Sequence, residues 1–155
     1  MTLAPSFPAA TLDEMHRFAV ALGQAARAGD VLALVGPLGA GKTTFTQGLA
    51  LGLKIPPERH VSSPTFALVN EHQGRLLLVH ADLYRLRDTA ELAELGLEEA
   101  FDHAVTAIEW ADRFPECLPK DHLRLEILPR SDGGRVLAPR ATGPRSEAWA
   151  RAFLL

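Results

Sequence analysis

Residues 31–43 restrict the fold of this chain more than any other stretch. Val31-Leu32-Ala33-Leu34-Val35 has no polar break, and Gly36-Pro37-Leu38-Gly39-Ala40-Gly41-Lys42-Thr43 follows directly. A short, wholly apolar run with β-branched residues predicts a central strand buried on both faces. The residues after it fit G-x-x-x-x-G-K-[ST], in the order strand, glycine-rich turn, helix that this pattern requires. Glycines at 36, 39 and 41 let the backbone curl tightly around an anion. Successive N–H groups, including Ala40, and the N-terminus of the next helix, including Thr44, then face phosphate oxygens. Lys42 supplies charge to the β- and γ-phosphates, and the Thr43 hydroxyl is placed to bind Mg²⁺. The competing reading is a glycine-rich turn with no ligand. The match of all three elements favours nucleotide binding.

A phosphate loop needs a second metal ligand, usually an acid at the end of a neighbouring strand. Two acids qualify. Asp82 follows the apolar run Leu76 to Val79, and Glu109 follows Ala104 to Ile108. Both fall where sites gather in α/β sheets, at the carboxyl ends of strands. Ser62-Ser63-Pro64-Thr65 is a small polar segment that Pro64 would hold extended. From it, Ser63 and Thr65 can approach a γ-phosphate, although the same residues also make ordinary turns. By spacing alone, Tyr84 reads as buried, Arg85 as surface, His80 as structural and Trp110 as packing. Cys117 has no activating neighbour in sequence and reads as inert.

The rest of the chain supplies an α/β frame. Thr11 and Glu14 form a predicted capping box, followed by apolar residues at helical spacing up to a stop at Gly29. A helix is expected from about Thr43 to Leu51. Phe66 to Val69 and Leu76 to Val79, around a turn at His72-Gln73-Gly74, predict an antiparallel hairpin. A helical stretch over Ala90 to Phe101 breaks near Gly96. Leu123 to Leu128 alternates with period two and turns at Gly133-Gly134 into a partner strand near Arg135 to Ala138. Ser146 is placed to cap a last helix. The sum is an α/β domain with a mixed sheet.

Composition excludes several classes. The 155 residues are 47% hydrophobic and 23% charged, which argues against disorder and for a single domain over 1–155. No apolar run is long enough to span a bilayer. Met1-Thr2-Leu3-Ala4-Pro5 has no basic stretch before an apolar run, which argues against a secretory signal. One cysteine cannot form an internal disulfide, so a cytoplasmic location is expected. Sixteen basic and nineteen acidic residues leave a net charge of −3, no footprint for autonomous DNA or RNA binding. The six arginines from Arg124 to Arg151 read as solvated surface.

With these residues laid out, the chain resembles the TsaE (YjeE) family, P-loop ATPases of bacterial tRNA threonylcarbamoyladenosine synthesis. The likeness rests on Gly36 to Thr44, Val61-Ser62-Ser63-Pro64-Thr65-Phe66, His80-Ala81-Asp82-Leu83-Tyr84-Arg85-Leu86, Leu95-Gly96-Leu97 and Ile108-Glu109-Trp110, in that order. It covers about Leu32 to Pro119. It implies a P-loop three-layer core with a mixed parallel and antiparallel sheet and helices on both faces. It also implies ATP and Mg²⁺ as cofactors. Lys42 and the loop would hold phosphates, Thr43 and Glu109 the metal. Ser63 to Thr65 would act as a switch near the γ-phosphate, and Asp82 would assist hydrolysis. The implied partners are TsaB and TsaD, with tRNA engaged only through that complex. The position after the first loop glycine is usually acidic in the family. Here it is Pro37, which has no N–H to offer a phosphate.

Two other readings remain at this level. One is a P-loop small-molecule kinase, for which no arginine-bearing lid is evident. The other is a nucleotide-gated assembly module. No Asn-Lys-x-Asp segment is present, which points to ATP rather than GTP.

Overall fold

The protein was described from a computed structural model that covers residues 2–3, 5–57, 61 and 69–154. Strand β3, Val31–Val35, is buried along its whole length and sits inside the sheet. Its alternation serves two layers. Leu32 and Leu34 pack into one apolar cluster, with Phe45 and Leu49, while Val31 and Ala33 pack into another, with Val79 and Ile108. This is the period-two geometry of a strand covered on both faces.

The other described strands are β1 (Thr2–Leu3), β2 (Phe7–Ala9), β4 (Val69–Gln73), β5 (Leu77–Asp82), β6 (Val105–Glu109), β7 (Leu123–Pro129) and β8 (Arg135–Ala141). They form one sheet in the order β1-β8-β7-β3-β6-β5-β4, with β2 also on β8. The pairs β7·β3, β3·β6 and β6·β5 are parallel. The outer pairs β4·β5, β7·β8 and those of β1 and β2 with β8 are antiparallel. The expected mixed sheet is therefore present. The register matters most: Leu34 lies opposite Glu109, and Glu109 opposite Asp82. The carboxyl ends of β3, β6 and β5 finish level, beside the loop that leaves β3.

Helices α1 (Leu12–Ala25), α2 (Lys42–Gly52) and α5 (Pro144–Ala150) contribute to the first cluster. Helices α3 (Thr89–Glu94) and α4 (Leu97–Ala100) contribute to the second. Helices α1 and α2 approach closely because glycines line their seam. A Cβ on Gly52 would lie 2.2 Å from Val20 O, and one on Gly48 2.6 Å from Ala19 Cβ. Phe153 stacks on both Phe7 and Phe18, which are tilted against each other.

Thr11 caps the helix as expected, accepting from Glu14 N–H at 3.1 Å, but the box does not close on the cap residue: Glu14 Oε2 reaches one residue further, to Ala10 N–H at 2.6 Å. The helical break occurs at Gly96, whose φ of 65° is left-handed. Several boundaries differ from expectation. His72 and Gln73 belong to β4 rather than to the turn. Phe66 to Leu68 lie outside the described residues. Ser146 sits in the first turn of α5, not before it, and accepts from Thr142 and Gly143 N–H. The Asp121 carboxylate caps that helix, accepting from Arg145 N–H at 2.8 Å and Ser146 N–H at 3.0 Å. Arg145 is not merely solvated, since it pairs with buried Asp30 at 3.0 Å. Strands β1 and β2 are too short to leave a periodic signal. Among the described residues, no helix is long and apolar enough to cross a membrane.

Candidate functional site

The turn from β3 to α2 gathers the first group of expected residues. Gly41 is the residue before α2 and takes φ 112°, a left-handed value that glycine adopts without strain. A Cβ on Gly36 would lie 2.5 Å from Ile127 O, so glycine is also required where the loop leaves the sheet beside β7. Ala40 is fully buried and its N–H donates to Pro37 O at 3.1 Å. Lys42, Thr43 and Thr44 form the first turn of α2, where helix N–H groups lack intrahelical acceptors.

Lys42 is buried and folds back over the loop. Its Nζ donates to Gly36 O at 2.7 Å and to Pro37 O at 2.9 Å. It also lies 4.0 Å from the centroid of the Trp110 ring, a cation–π distance. Burial lowers the pKa of Lys42, while the carboxylates of Glu109, Asp82 and Asp112 oppose that shift.

Glu109 is 2% exposed at the end of β6. Thr43 Oγ1 donates to its carboxylate, 3.2 Å from Oε1 and 3.3 Å from Oε2. His80, fully buried on β5, meets Oε2 through Nε2 at 2.5 Å. The structural reading of His80 thus holds, with a specific object: it fixes Glu109. Asp82 Oδ1 accepts from Tyr84 N–H at 2.9 Å. The pKa of Asp82 is raised, first by burial, with Glu109 adding and the Tyr84 amide opposing. Lys42, Asp82, Glu109 and Thr43 are therefore brought into one field at the strand ends. Ser63 and Thr65 lie outside the described residues.

Tyr84 differs from expectation. It is 49% exposed and packs on Trp110, with ring centroids 4.8 Å apart. Trp110 has a left-handed φ of 59°, an uncommon conformation for a bulky residue. That turn directs the chain into Ala111–Arg113, and Arg113 donates to Tyr84 O and Leu86 O. Burial pushes the Cys117 thiol up to about 11, in keeping with an inert cysteine.

Sequence reasoning missed Arg135, which reaches the glycine-rich β3–α2 loop from β8. Its Nε donates to Ala40 O at 2.6 Å and its Nη2 to Gly39 O at 3.3 Å. In a chain rich in arginine, no spacing marks this one; only the fold of β8 beside the loop reveals it.

The donor set suits a hard divalent cation. A threonine hydroxyl and a carboxylate, already in contact, are oxygen ligands of the kind Mg²⁺ takes. Among the described residues, no group of three His, Cys, Asp or Glu residues could hold a metal unaided. An ion at Thr43 and Glu109 would need further oxygens from phosphate and water, the usual manner of Mg²⁺.

Residues 9–137 match the family model described as threonylcarbamoyl adenosine biosynthesis protein TsaE. The chain is similar to the tRNA threonylcarbamoyladenosine biosynthesis protein TsaE of Bacillus subtilis, 46% identical over 124 residues, 79% of this chain and 76% of that one. The protein of the same description from Treponema pallidum is 38% identical over 122 residues, 78% of this chain and 89% of that one. The crystal structure of Bacillus subtilis YdiB superposes with a TM-score of 0.81 at 32% identity, over 99% of this chain and 97% of that one.

Proposed function

Because the chain belongs to the TsaE family and hence to tRNA threonylcarbamoyladenosine biosynthesis, we propose that it is the Mg²⁺-dependent ATPase of that machinery. The supporting observation is the contact of Thr43 with Glu109 beside Lys42. It joins the phosphate loop to the next strand through the two side chains best suited to a metal.

In this reading, the loop from Gly36 to Gly41 and the N-terminus of α2, with Lys42, Thr43 and Thr44, hold the phosphates of ATP. Lys42 exchanges the carbonyls of Gly36 and Pro37 for phosphate oxygens, retaining charge in a buried place. Thr43 and Glu109 hold Mg²⁺, and His80 keeps the Glu109 carboxylate turned towards Thr43. Mg²⁺ there would supply charge neutralisation across the β- and γ-phosphates. Asp82 orients the water that attacks the γ-phosphorus as the bond to the ADP oxygen breaks. Its raised pKa makes it a better proton acceptor than an ordinary aspartate. Ser63 and Thr65 approach the γ-phosphate as a switch. The chain works with TsaB and TsaD, and meets tRNA only through them. ATP turnover resets the assembly rather than transferring the threonylcarbamoyl group.

Calorimetric titration of ATP, with and without Mg²⁺, tests the site. Lys42→Ala should abolish binding. Glu109→Gln should bind ATP in EDTA like the parent and lose the gain that Mg²⁺ confers. Unchanged ATP affinity in Lys42→Ala would refute the assignment.

A further inference from the structure

We propose that Arg135 is a positioning residue for nucleotide, holding the phosphate loop in its anion-receptive form from outside. The proposal rests on the reading of that loop as the ATP site. Arg135 is the first residue of β8, far in sequence from the loop it grips. Among the described residues, its guanidinium makes four hydrogen bonds, all to backbone carbonyls. Two are on the loop, Ala40 O at 2.6 Å and Gly39 O at 3.3 Å. Two are in the β7–β8 turn, Gly133 O at 3.0 Å and Gly134 O at 3.1 Å. The rigid planar fork of arginine ties the loop to the hairpin through three nitrogens held apart, a span that the single nitrogen of a lysine does not match.

The consequence follows from peptide geometry. In a trans peptide the C=O of one residue and the N–H of the next point in opposite directions. Arg135 pulls the carbonyls of Gly39 and Ala40 towards itself, so the amides of Ala40 and Gly41 turn the other way. The Ala40 N–H braces the turn by donating to Pro37 O at 3.1 Å, so the Gly41 amide is the one this orientation offers to an anion. Because Pro37 has no N–H, the loop depends more on its later amides, the ones that Arg135 orients. Charge adds to position. Among the described residues, Arg135 makes no ion pair with any carboxylate. Its positive charge stays unneutralised beside the loop, where an anion would feel it.

The test is ATP affinity of Arg135→Ala and Arg135→Lys by calorimetry, with the parent chain and Lys42→Ala in the same series. Arg135→Ala should bind ATP about 10- to 100-fold more weakly, the scale of hydrogen bonds from a charged group. The factor should be the same with and without Mg²⁺, since Arg135 touches neither Thr43 nor Glu109. Millimolar ethylguanidinium should restore ATP binding to Arg135→Ala and leave the affinity of the parent unchanged. Arg135→Lys should keep the charge, lose the fork and still bind several-fold more weakly, which covers the case in which the alanine variant does not fold. Parent-like affinity in the variant that folds would overturn the proposal, as would a loss that ethylguanidinium fails to relieve. A parent chain that does not bind ATP would overturn the underlying reading instead.

Discussion

His80 and Glu109 carry the sharpest residue-scale consequence. Both are buried and they meet at 2.5 Å, and the Thr43 hydroxyl also donates to the carboxylate. Removing one partner leaves a buried charged acceptor short of a donor, whereas removing both relieves that penalty. His80→Leu should therefore lower unfolding free energy by about 2–3 kcal/mol in urea titrations. His80→Leu with Glu109→Leu should cost clearly less than the two single changes added together. Additive losses would mean that the contact contributes nothing. Asp82 gives a pH-dependent counterpart. Its pKa is raised in the fold, chiefly by burial. Its contribution is thus favourable while it is protonated and is lost as pH rises through the raised value. Asp82→Asn keeps an acceptor for the Tyr84 amide and removes the charge. The variant should be more stable than the parent at pH 7, as thermal unfolding across pH would show. That advantage should fade towards pH 3. Cys117, with its thiol pushed up to about 11 from 9.0, should alkylate with iodoacetamide about a hundredfold more slowly than an unperturbed thiol.

At the scale of elements, the seam between α1 and α2 is the most constrained contact. Gly23, Gly48 and Gly52 leave no room for a Cβ, and the nearest atoms to Gly23 and Gly52 are backbone. Backbone cannot rotate away as a side chain can. Gly52→Ala should cost about 1–3 kcal/mol by overpacking, despite the better helix propensity of alanine, and thermal unfolding would show it. The strongly patterned elements were legible in the sequence. The Val31–Val35 run, the capped first helix and the alternating Leu123–Pro129 strand each carry a complete local signal. The glycine-rich turn from strand to helix was legible because its pattern sets residue types at fixed spacing. Glu109 and Asp82 could be nominated but not joined, since their proximity depends on the parallel register of β5 and β6. Arg135 left no trace at all, because its partners are carbonyls that any residue provides. The Ser146 cap misled for a related reason: the true cap, Asp121, comes from a loop remote in sequence.

For the whole molecule, the parallel core β7-β3-β6-β5 is what makes a site. It brings three strand ends level, and the antiparallel outer strands then add Arg135 from β8. One side of the sheet is stiffened by the α1–α2 layer, so the loop is mounted on a rigid base. On the proposed reading, a chain built this way binds and hydrolyses ATP, and its place in tRNA threonylcarbamoyladenosine biosynthesis sets that turnover within an assembly. The decisive measurement is Mg²⁺-dependent ATP hydrolysis by the purified chain, alone and with purified TsaB and TsaD, using Lys42→Ala as the blank. The account predicts hydrolysis that the pair stimulates and that the blank lacks. No stimulation and no association with the pair, or equal turnover by Lys42→Ala, would contradict it.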